Sequence, residues 1–158
     1  MNNTPIILGW REWVLLPELN LPLIKAKIDT GARTSCLHAF SLEPFNKGRT
    51  AWIRFGMHPR QHDSEPELFC EAQVVDKRTV TDSGGHREER YVISTLLELD
   101  NSQWPIEITL TNRDSMRFRM LLGRTAMQNR AIVNPGASYL LGNAENTLRD
   151  VPTPEPTQ

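Results

Sequence analysis

The sequence predicts an all-β fold, and three observations carry that prediction. Short segments in which apolar and polar residues alternate, as they do in half-buried strands, recur along the chain, for example at 50–57 and 67–76. Gly, Pro, Asp and Asn separate these segments as turn signals. Only one short helix is predicted, in the segment RTAMQNRA that follows Gly123. At 158 residues, 39% of them hydrophobic and 23% charged, the chain has the size and composition of one ordinary globular domain.

The predicted strands follow one another with turns between them. They cover 6–16, 21–28, 50–57, 67–76, 91–99, 104–112, 119–122 and 131–141. A hairpin is predicted over 76–93, with its tip near 83–85. We therefore expect one domain over residues 1–145 and a disordered, Pro-rich tail over 146–158.

Charge and thiol content limit the classes of function. A formal net charge of -1 argues against non-specific nucleic-acid binding, which normally needs a basic excess, so no direct nucleic-acid partner is expected. The N-terminal segment lacks the basic and long apolar regions of a secretory signal, and no apolar run approaches the roughly 18 residues of a membrane span. Without an export signal, Cys36 and Cys70 are expected to stay reduced. The expectation is a cytoplasmic protein with no membrane partner.

The sharpest chemical signal is Asp29-Thr30-Gly31, placed directly after a predicted strand. A strand end of this kind brings a carboxylate to a rigid turn. Gly31 permits the close approach of a second backbone, and the Thr30 hydroxyl can bond across to a partner. The triplet alone is weak, because Asp, Thr and Gly are common turn residues. A second segment, LLGR at 121–124 before the predicted helix, strengthens the interpretation of this triplet as a catalytic turn.

Together these segments resemble the retropepsin family of aspartic proteases, which combine an Asp-Thr-Gly-Ala turn with a later apolar-apolar-Gly-Arg segment. The closer resemblance is to the RimB-type family, often labelled ATP-dependent zinc proteases. The segments that resemble its signatures are GWREW at 9–13, KAKIDTGARTS at 25–35, RFRMLLGR at 117–124 and VNP at 133–135. The resemblance implies a closed β-barrel with a ψ-loop, in which two segments cross beneath the catalytic acid, and one short C-terminal helix.

The resemblance also implies an aspartic peptidase that works as a homodimer, with Asp29, Thr30 and Gly31 of each chain at the catalytic centre. Two carboxylates about 3 Å apart cannot both ionise, so they share one proton and titrate as a pair. One carboxylate then acts as a base on water while its protonated partner polarises the scissile carbonyl. Ala32 lacks a hydroxyl that would favour the ionised form, so we expect the pair to keep its proton nearer neutral pH.

Basic residues around this turn favour an acidic peptide as the substrate. Alternate residues of a strand share a face, so Lys27 is expected beside Asp29. Arg33 and Arg124 stand where retropepsins often have an acid–arginine pair, and two unpaired guanidiniums would bind carboxylates. A flap hairpin is expected to add glycines and further cations. The predicted substrate-binding residues are Lys27, Ala32, Arg33, Gly84, Gly85, Arg87, Arg90 and Arg124.

RimB-type proteins are linked to removal of a poly-glutamate tail from a small-subunit ribosomal protein, and the resemblance implies that tail as the substrate and that protein as a partner. Two alternatives stand beside this prediction. In one, the cations are solvated surface charges balanced by nearby acids. In the other, the chain is a catalytically silent module that binds acidic peptides.

No metal or cofactor is expected. The sequence has no H-E-x-x-H zinc motif, its four histidines are scattered, and it contains no P-loop. A metallopeptidase would therefore need stoichiometric zinc that no motif supports. Glu12 has two interpretations: it is a solvated charge, or it pairs with Arg33 or Arg124.

Overall fold

The computed structural model describes residues 4–60, 66–81, 84–113 and 117–142. The strands and the helix are β1 Ile6–Leu8, β2 Arg11–Val14, β3 Ile24–Asp29, β4 Ser35–His38, β5 Ser41–Lys47, β6 Thr50–Met57, β7 Leu68–Thr81, β8 Arg87–Leu99, β9 Ser102–Thr111, β10 Met120–Gly123, α1 Arg124–Met127 and β11 Ala131–Val133. The prediction of a mostly β protein with one short helix is confirmed. No helix in these described ranges has the length and the apolar character to cross a membrane.

Nine of the strands form one sheet, in the order β2-β3-β10-β4-β9-β8-β7-β6-β5. This order leaves β2 and β5 as edge strands. An isolated bridge between Leu15, which follows β2, and Glu98 in β8 brings the β2 edge back toward the middle of the sheet. The predicted closed barrel is wrong. Closure needs a continuous ladder of hydrogen bonds between strands, and among the described residues this edge makes one isolated bridge.

Strand β10 lies between two strands that come much earlier in the chain. It pairs in parallel with β3, so that Leu122 lies opposite Ile28 and Gly123 lies opposite Asp29. On its other side it pairs antiparallel with β4. Since only residues 30–34 join β3 to β4, the turn after Asp29 lies directly beside the end of β10.

Two hairpins form the middle of the chain. Between β8 and β9, Asp100 and Asn101 have φ of 51° and 65°, the left-handed conformation that Asp and Asn tolerate in a two-residue hairpin loop. The hairpin of β7 and β8, predicted over 76–93, has Thr81 opposite Arg87 at its last pair. The tip predicted near 83–85 lies partly outside the described residues.

Two strands lie where the sequence pattern predicts none, and each has a physical reason. All four residues of β4 are buried, so this strand shows no alternation. β5 contains Pro44, which cannot donate a ladder hydrogen bond, and Pro is tolerated there because β5 is an edge strand. The strand predicted at 131–141 is shorter than expected, because the chain turns at Pro135 and Gly136.

One hydrophobic core joins both halves of the sheet. Fully buried side chains of β6, such as Phe55, belong to the same cluster as Leu37 of β4 and Ile108 of β9. The open sheet therefore folds over itself around one interior. Each fully buried side chain of this size contributes about 1.5–3 kcal/mol.

A buried acid ties the start of the sheet to the segment that follows β11. The Glu12 side chain is 0% exposed and accepts hydrogen bonds from the backbone N–H groups of Gly9 at 2.6 Å, Leu140 at 2.9 Å and Leu141 at 3.2 Å. Both interpretations of Glu12 from the sequence are therefore wrong. It is neither solvated nor paired with an arginine, because backbone donors take up its lone pairs.

Candidate active site

Asp29 ends β3, and the chain turns sharply after it. Asp29 Oδ1 accepts hydrogen bonds from the N–H groups of Gly31 at 3.0 Å and Ala32 at 3.2 Å. A Cβ added at Gly31 would lie 3.3 Å from the same oxygen, so glycine lets the turn close tightly on the carboxylate. The second oxygen, Oδ2, accepts no hydrogen bond from the described part of the chain. The turn thus holds a half-buried carboxyl group in one position with one oxygen left for a ligand.

Gly123 braces this turn from the neighbouring strand. A Cβ added at Gly123 would lie 2.6 Å from the carbonyl carbon of Thr34 and 2.9 Å from Ser35 N. The Gly123 N–H donates to Ser35 Oγ at 3.0 Å. Only a residue without a Cβ permits this approach. The structure thus places side by side the two segments that the sequence singled out, at 29–31 and 121–124.

The start of α1 holds the loop that follows Asp29. The Arg124 N–H donates to the Ala32 carbonyl at 2.8 Å. The Arg33 carbonyl accepts two bonds from Thr125, one from its N–H at 3.1 Å and one from its hydroxyl at 2.7 Å. These bonds fix the loop against the helix.

The two arginines predicted to bind a ligand have different surroundings. Arg124 Nη1 donates to the Gly31 carbonyl at 3.2 Å, so this guanidinium also supports the turn. Arg33 is exposed and lines a separate cavity of about 240 Å³ that also contains Glu107. Of these two arginines, Arg33 alone has no backbone partner for its guanidinium within the described residues.

A cleft of about 530 Å³ lies beside the turn, a volume suited to a small-ligand site. Thr30 and Arg124 line it on the side of the turn. Met127 and Val133 line it elsewhere, so part of its wall is apolar. Thr30 is exposed beside this cleft.

Lys27 shares a face of β3 with Asp29, as predicted. Ala26 and Ile28 point into the core, whereas Lys27 is exposed. Arg11 of β2 lies directly opposite Lys27. Sequence reasoning did not place Arg11 in the site. Arg11 belongs to the GWREW segment, but its position opposite Lys27 depends on the register of β2 with β3, which a single sequence does not show.

The hairpin residues predicted to bind substrate divide into two groups. Gly84, Gly85 and Arg87 are exposed, and Gly85 has φ of 86°, which favours glycine. The Arg90 side chain is only 12% exposed, and its Nε lies 3.1 Å from Glu88 Oε2. The charge of Arg90 is thus bound within the fold, unlike the exposed cation that was predicted.

Strand β4 carries two buried titratable side chains, Cys36 and His38. Burial raises the pKa of the Cys36 thiol, although Arg90 Nη1 lies 3.5 Å from its Sγ and opposes that effect. His38 is 4% exposed, and neither of its ring nitrogens has a hydrogen-bond partner in the described ranges. Burial, reinforced by Arg90 and other nearby guanidiniums, lowers the pKa of His38 to about 4. His38 is therefore neutral at neutral pH.

Neutral His38 makes stability depend on pH. The unfolded chain takes up a proton at this histidine near its ordinary pKa of 6.5, whereas the folded chain does so only near 4. The unfolded state thus binds more protons in this window, and the free energy of unfolding should fall by about 2 kcal/mol between pH 6.5 and pH 5. Urea unfolding of the wild type and of His38→Leu at both pH values measures this. The variant should lose much less stability on acidification, and equal losses in the two proteins would contradict the assignment.

The site offers the chemistry of a carboxyl group with cations beside it. No group of three or more His, Cys, Asp or Glu side chains that could hold a metal ion occurs within residues 4–60, 66–81, 84–113 and 117–142. Asp29 is the acid that the turn presents, and Lys27 and Arg11 are cations on its face of the sheet.

The protein is mostly β, and its strand β3 ends in an Asp-Thr-Gly-Ala turn. Gly123 of β10 and the short helix α1 pack against this turn. These features are those of the retropepsin-like class. A family model described as RimB-like, retropepsin-like aspartic endopeptidase RimB, matches residues 7–143. The chain belongs to this family, and the resemblance stated from the sequence is confirmed.

Curated relatives carry a different name. A "Probable alpha-L-glutamate ligase" of Shewanella pealeana is 46% identical over 142 residues, which cover 90% of this chain and 31% of the relative. One of Parasynechococcus marenigrum, with the same name, is 49% identical over 138 residues, 87% of this chain and 30% of the relative. The chain therefore spans about a third of the length of the curated relatives that it matches.

A solved structure shares the fold. A Legionella pneumophila protein of unknown function is 26% identical, with a TM-score of 0.72, and the match covers 87% of this chain and 99% of that one. The two proteins therefore share their fold over nearly the whole length of the Legionella protein.

The curated names correct the function predicted from the sequence. That prediction was a homodimeric aspartic peptidase that removes poly-glutamate tails, and relatives 45% or more identical in sequence are instead named ligases. The basic residues around Asp29 favour only an acidic peptide, whereas the poly-glutamate tail and the direction of the reaction are implied by the family resemblance alone. Both kinds of comparison relate the chain to enzymes.

Proposed function

We propose that this chain is an enzyme domain that holds an α-linked glutamyl chain at Asp29, in conjunction with an α-L-glutamate ligase activity. The observation that carries the proposal is the set of cations that share a face with Asp29, since such a face attracts a polyanionic chain. The names of the curated relatives support glutamate as the repeating unit. Because this chain spans about a third of those relatives, bond formation is not proposed for it.

Asp29 would supply acid–base chemistry of the aspartic type at an amide bond of the bound chain. A carboxyl group can give or take a proton at an amide, and in this type of enzyme two carboxyls share one proton. The sequence contains one Asp-Thr-Gly turn, so a pair of carboxyls needs a second copy of the chain. The exposure of Thr30 and Gly31 supports such a homodimer, because a second backbone can approach them.

Two parts of the fold would complete the site. We assign the role of a ψ-loop to β3, β10 and β4, and the pairing of β10 with both of its neighbours supports this assignment. The hairpin of β7 and β8 would cover a bound chain through Gly84, Gly85 and Arg87, whose exposure supports that role. Ala32 and Arg33 would line the site through the loop that α1 holds.

A binding measurement tests the proposal. Tetra-α-glutamate carrying a fluorophore should bind at low ionic strength at least about tenfold more tightly than labelled tetraglutamine of the same length, because only the former presents carboxylates to the cationic face. Anisotropy titrations give both affinities. The preference should shrink as salt rises toward about 0.3 M, since exposed charges are screened. Equal affinity for the two peptides at low salt would contradict the proposal.

A further inference from the structure

Two like charges lie directly opposite each other beside Asp29. Arg11 of β2 and Lys27 of β3 are register partners in an antiparallel pair, on the face that carries Asp29. Side chains in such positions have Cβ atoms about 4.5–5.5 Å apart, and like charges there repel. Neither side chain forms an ion pair with a carboxylate in the described part of the chain. The fold thus leaves a repulsive pair without a neutralising acid.

The Arg11 side chain is ordered in spite of this repulsion. Its Cζ lies 4.6 Å from the ring centroid of Trp10 and 4.9 Å from that of Tyr139. Its Nε donates to Ser138 Oγ at 3.2 Å. The terminal nitrogens Nη1 and Nη2 have no partner within the described residues. A guanidinium fixed in this way loses little conformational entropy when it binds a ligand.

A third cation extends the same face. Lys25 alternates with Lys27 along β3, and its Nζ lies 5.4 Å from the Trp13 ring centroid and 5.9 Å from the Tyr139 ring centroid. The aromatic rings hold this ammonium through cation–π contacts. The exposed side of the β2–β3 pair therefore carries three cations, and the acid that shares it is Asp29 itself.

The spacing along β3 fits an extended peptide. Lys27 and Asp29 are two residues apart in a strand, which corresponds to about 7 Å. Alternate side chains of an extended ligand have the same separation. A glutamyl chain with one amide bond at Asp29 would thus bring the carboxylate of a residue two positions away to Lys27 and Arg11.

We propose that Arg11 and Lys27 form a carboxylate-binding subsite of the Asp29 site, which holds the γ-carboxylate of a glutamyl residue two positions from the bond at Asp29. The identity of the ligand as a glutamyl chain rests on the proposed function. The subsite itself rests on the unneutralised pair and on the ordered guanidinium. Arg11 supplies a two-pronged donor that fits a carboxylate, and Lys27 supplies a second charge.

Affinities of charge-removing variants test the subsite. Tetra-α-glutamate should bind Arg11→Gln and Lys27→Gln each at least about tenfold more weakly than the wild type. The affinity of Arg11→Lys should lie between those of the wild type and Arg11→Gln, because lysine keeps the positive charge but lacks the two parallel N–H donors of the guanidinium. Lys47→Gln is the matched control, since Lys47 pairs with Glu71 on the β5–β7 side of the sheet, and it should bind like the wild type. If Arg11→Gln unfolds because its contacts with the aromatic rings are lost, the affinity of Lys27→Gln still tests the subsite, since Lys27 is exposed.

A small dicarboxylate separates failure of the subsite from failure of the proposed function. Glutarate, titrated into the isotope-labelled wild type, should shift the Arg11 Nε–Hε signal, and Lys27→Gln should weaken that shift. Peptide binding that is unaffected in both variants, with no glutarate shift at Arg11, overturns the subsite and leaves the proposed function standing. A glutarate shift at Arg11 without preferential binding of tetra-α-glutamate supports the subsite and overturns the proposed function. The absence of both signals overturns both.

Discussion

Replacing Gly123 with alanine is expected to lower the free energy of unfolding by about 3 kcal/mol, since overpacking at a rigid contact has a cost of that order. The added Cβ would lie 2.6 Å from the carbonyl carbon of Thr34 and 2.9 Å from Ser35 N. Both atoms belong to the backbone, so no side-chain rotation relieves the clash. The strand β10 must move away from the loop, and the bond from Gly123 N–H to Ser35 Oγ must lengthen. Urea unfolding monitored by tryptophan fluorescence measures the loss.

Gly136→Ala provides the matched control for this change. A Cβ added at Gly136 would meet only Asn134 Oδ1, at 3.6 Å, which is an ordinary contact. Stability of this variant should remain within about 0.5 kcal/mol of the wild type, as for most surface substitutions. Equal losses in the free energy of unfolding for Gly123→Ala and Gly136→Ala would contradict the view that Gly123 is needed for the close approach of β10 to the turn.

Asp29→Asn is expected to abolish the chemical step while leaving the fold intact. The amide oxygen can still accept the N–H bonds of Gly31 and Ala32, so the turn should keep its shape. The amide cannot exchange a proton with the substrate, and general acid–base catalysis is typically worth about 10²–10⁴-fold in rate. Mass spectrometry of α-linked glutamyl peptides, incubated with the wild type and the variant, measures any change in the number of glutamyl units.

Asp76→Asn is the matched control for Asp29→Asn. Asp76 also accepts a backbone N–H through its carboxylate, from Lys77 at 2.7 Å, but it lies in β7 away from the turn. Its replacement should leave turnover unchanged. Undiminished turnover by Asp29→Asn would remove Asp29 from the chemistry. If two copies share one site, sedimentation should detect a dimer, and mixing the variant with the wild type should lower activity by more than dilution alone.

Local patterns predicted much of the fold. The alternation at 50–57 coincides with β6 at Thr50–Met57, and the two hairpins form where turn residues indicated them. β4 was missed because burial on all four positions removes the period-two signal on which strand prediction depends. The barrel was wrong because closure is a property of pairing between distant strands, which no local pattern encodes.

The parts of the site that one continuous segment forms could be predicted from the sequence. The parts that depend on contacts between distant segments could not. The Asp29 turn and the shared face of Lys27 follow from local sequence and from strand geometry. The opposition of Arg11 to Lys27 depends on the register of β2 with β3, and the burial of Glu12 depends on amides more than a hundred residues away. Arg90 was expected at a ligand and instead binds Glu88, because the exposure of a hairpin residue depends on what packs against it.

The connection between the beginning and the end of the fold has a consequence for synthesis. Glu12 accepts a bond from Leu140, 128 residues further along, and β1 pairs with β11 rather than with a near neighbour. At about 5–20 residues per second, a ribosome needs roughly 6–26 s to make the intervening chain. During that time the apolar segment around Ile7, which is 45% exposed even in the folded protein, has no strand partner. β1 therefore stays an unpaired apolar strand while the intervening residues are made, and it gains its partner only after β11 has left the ribosome.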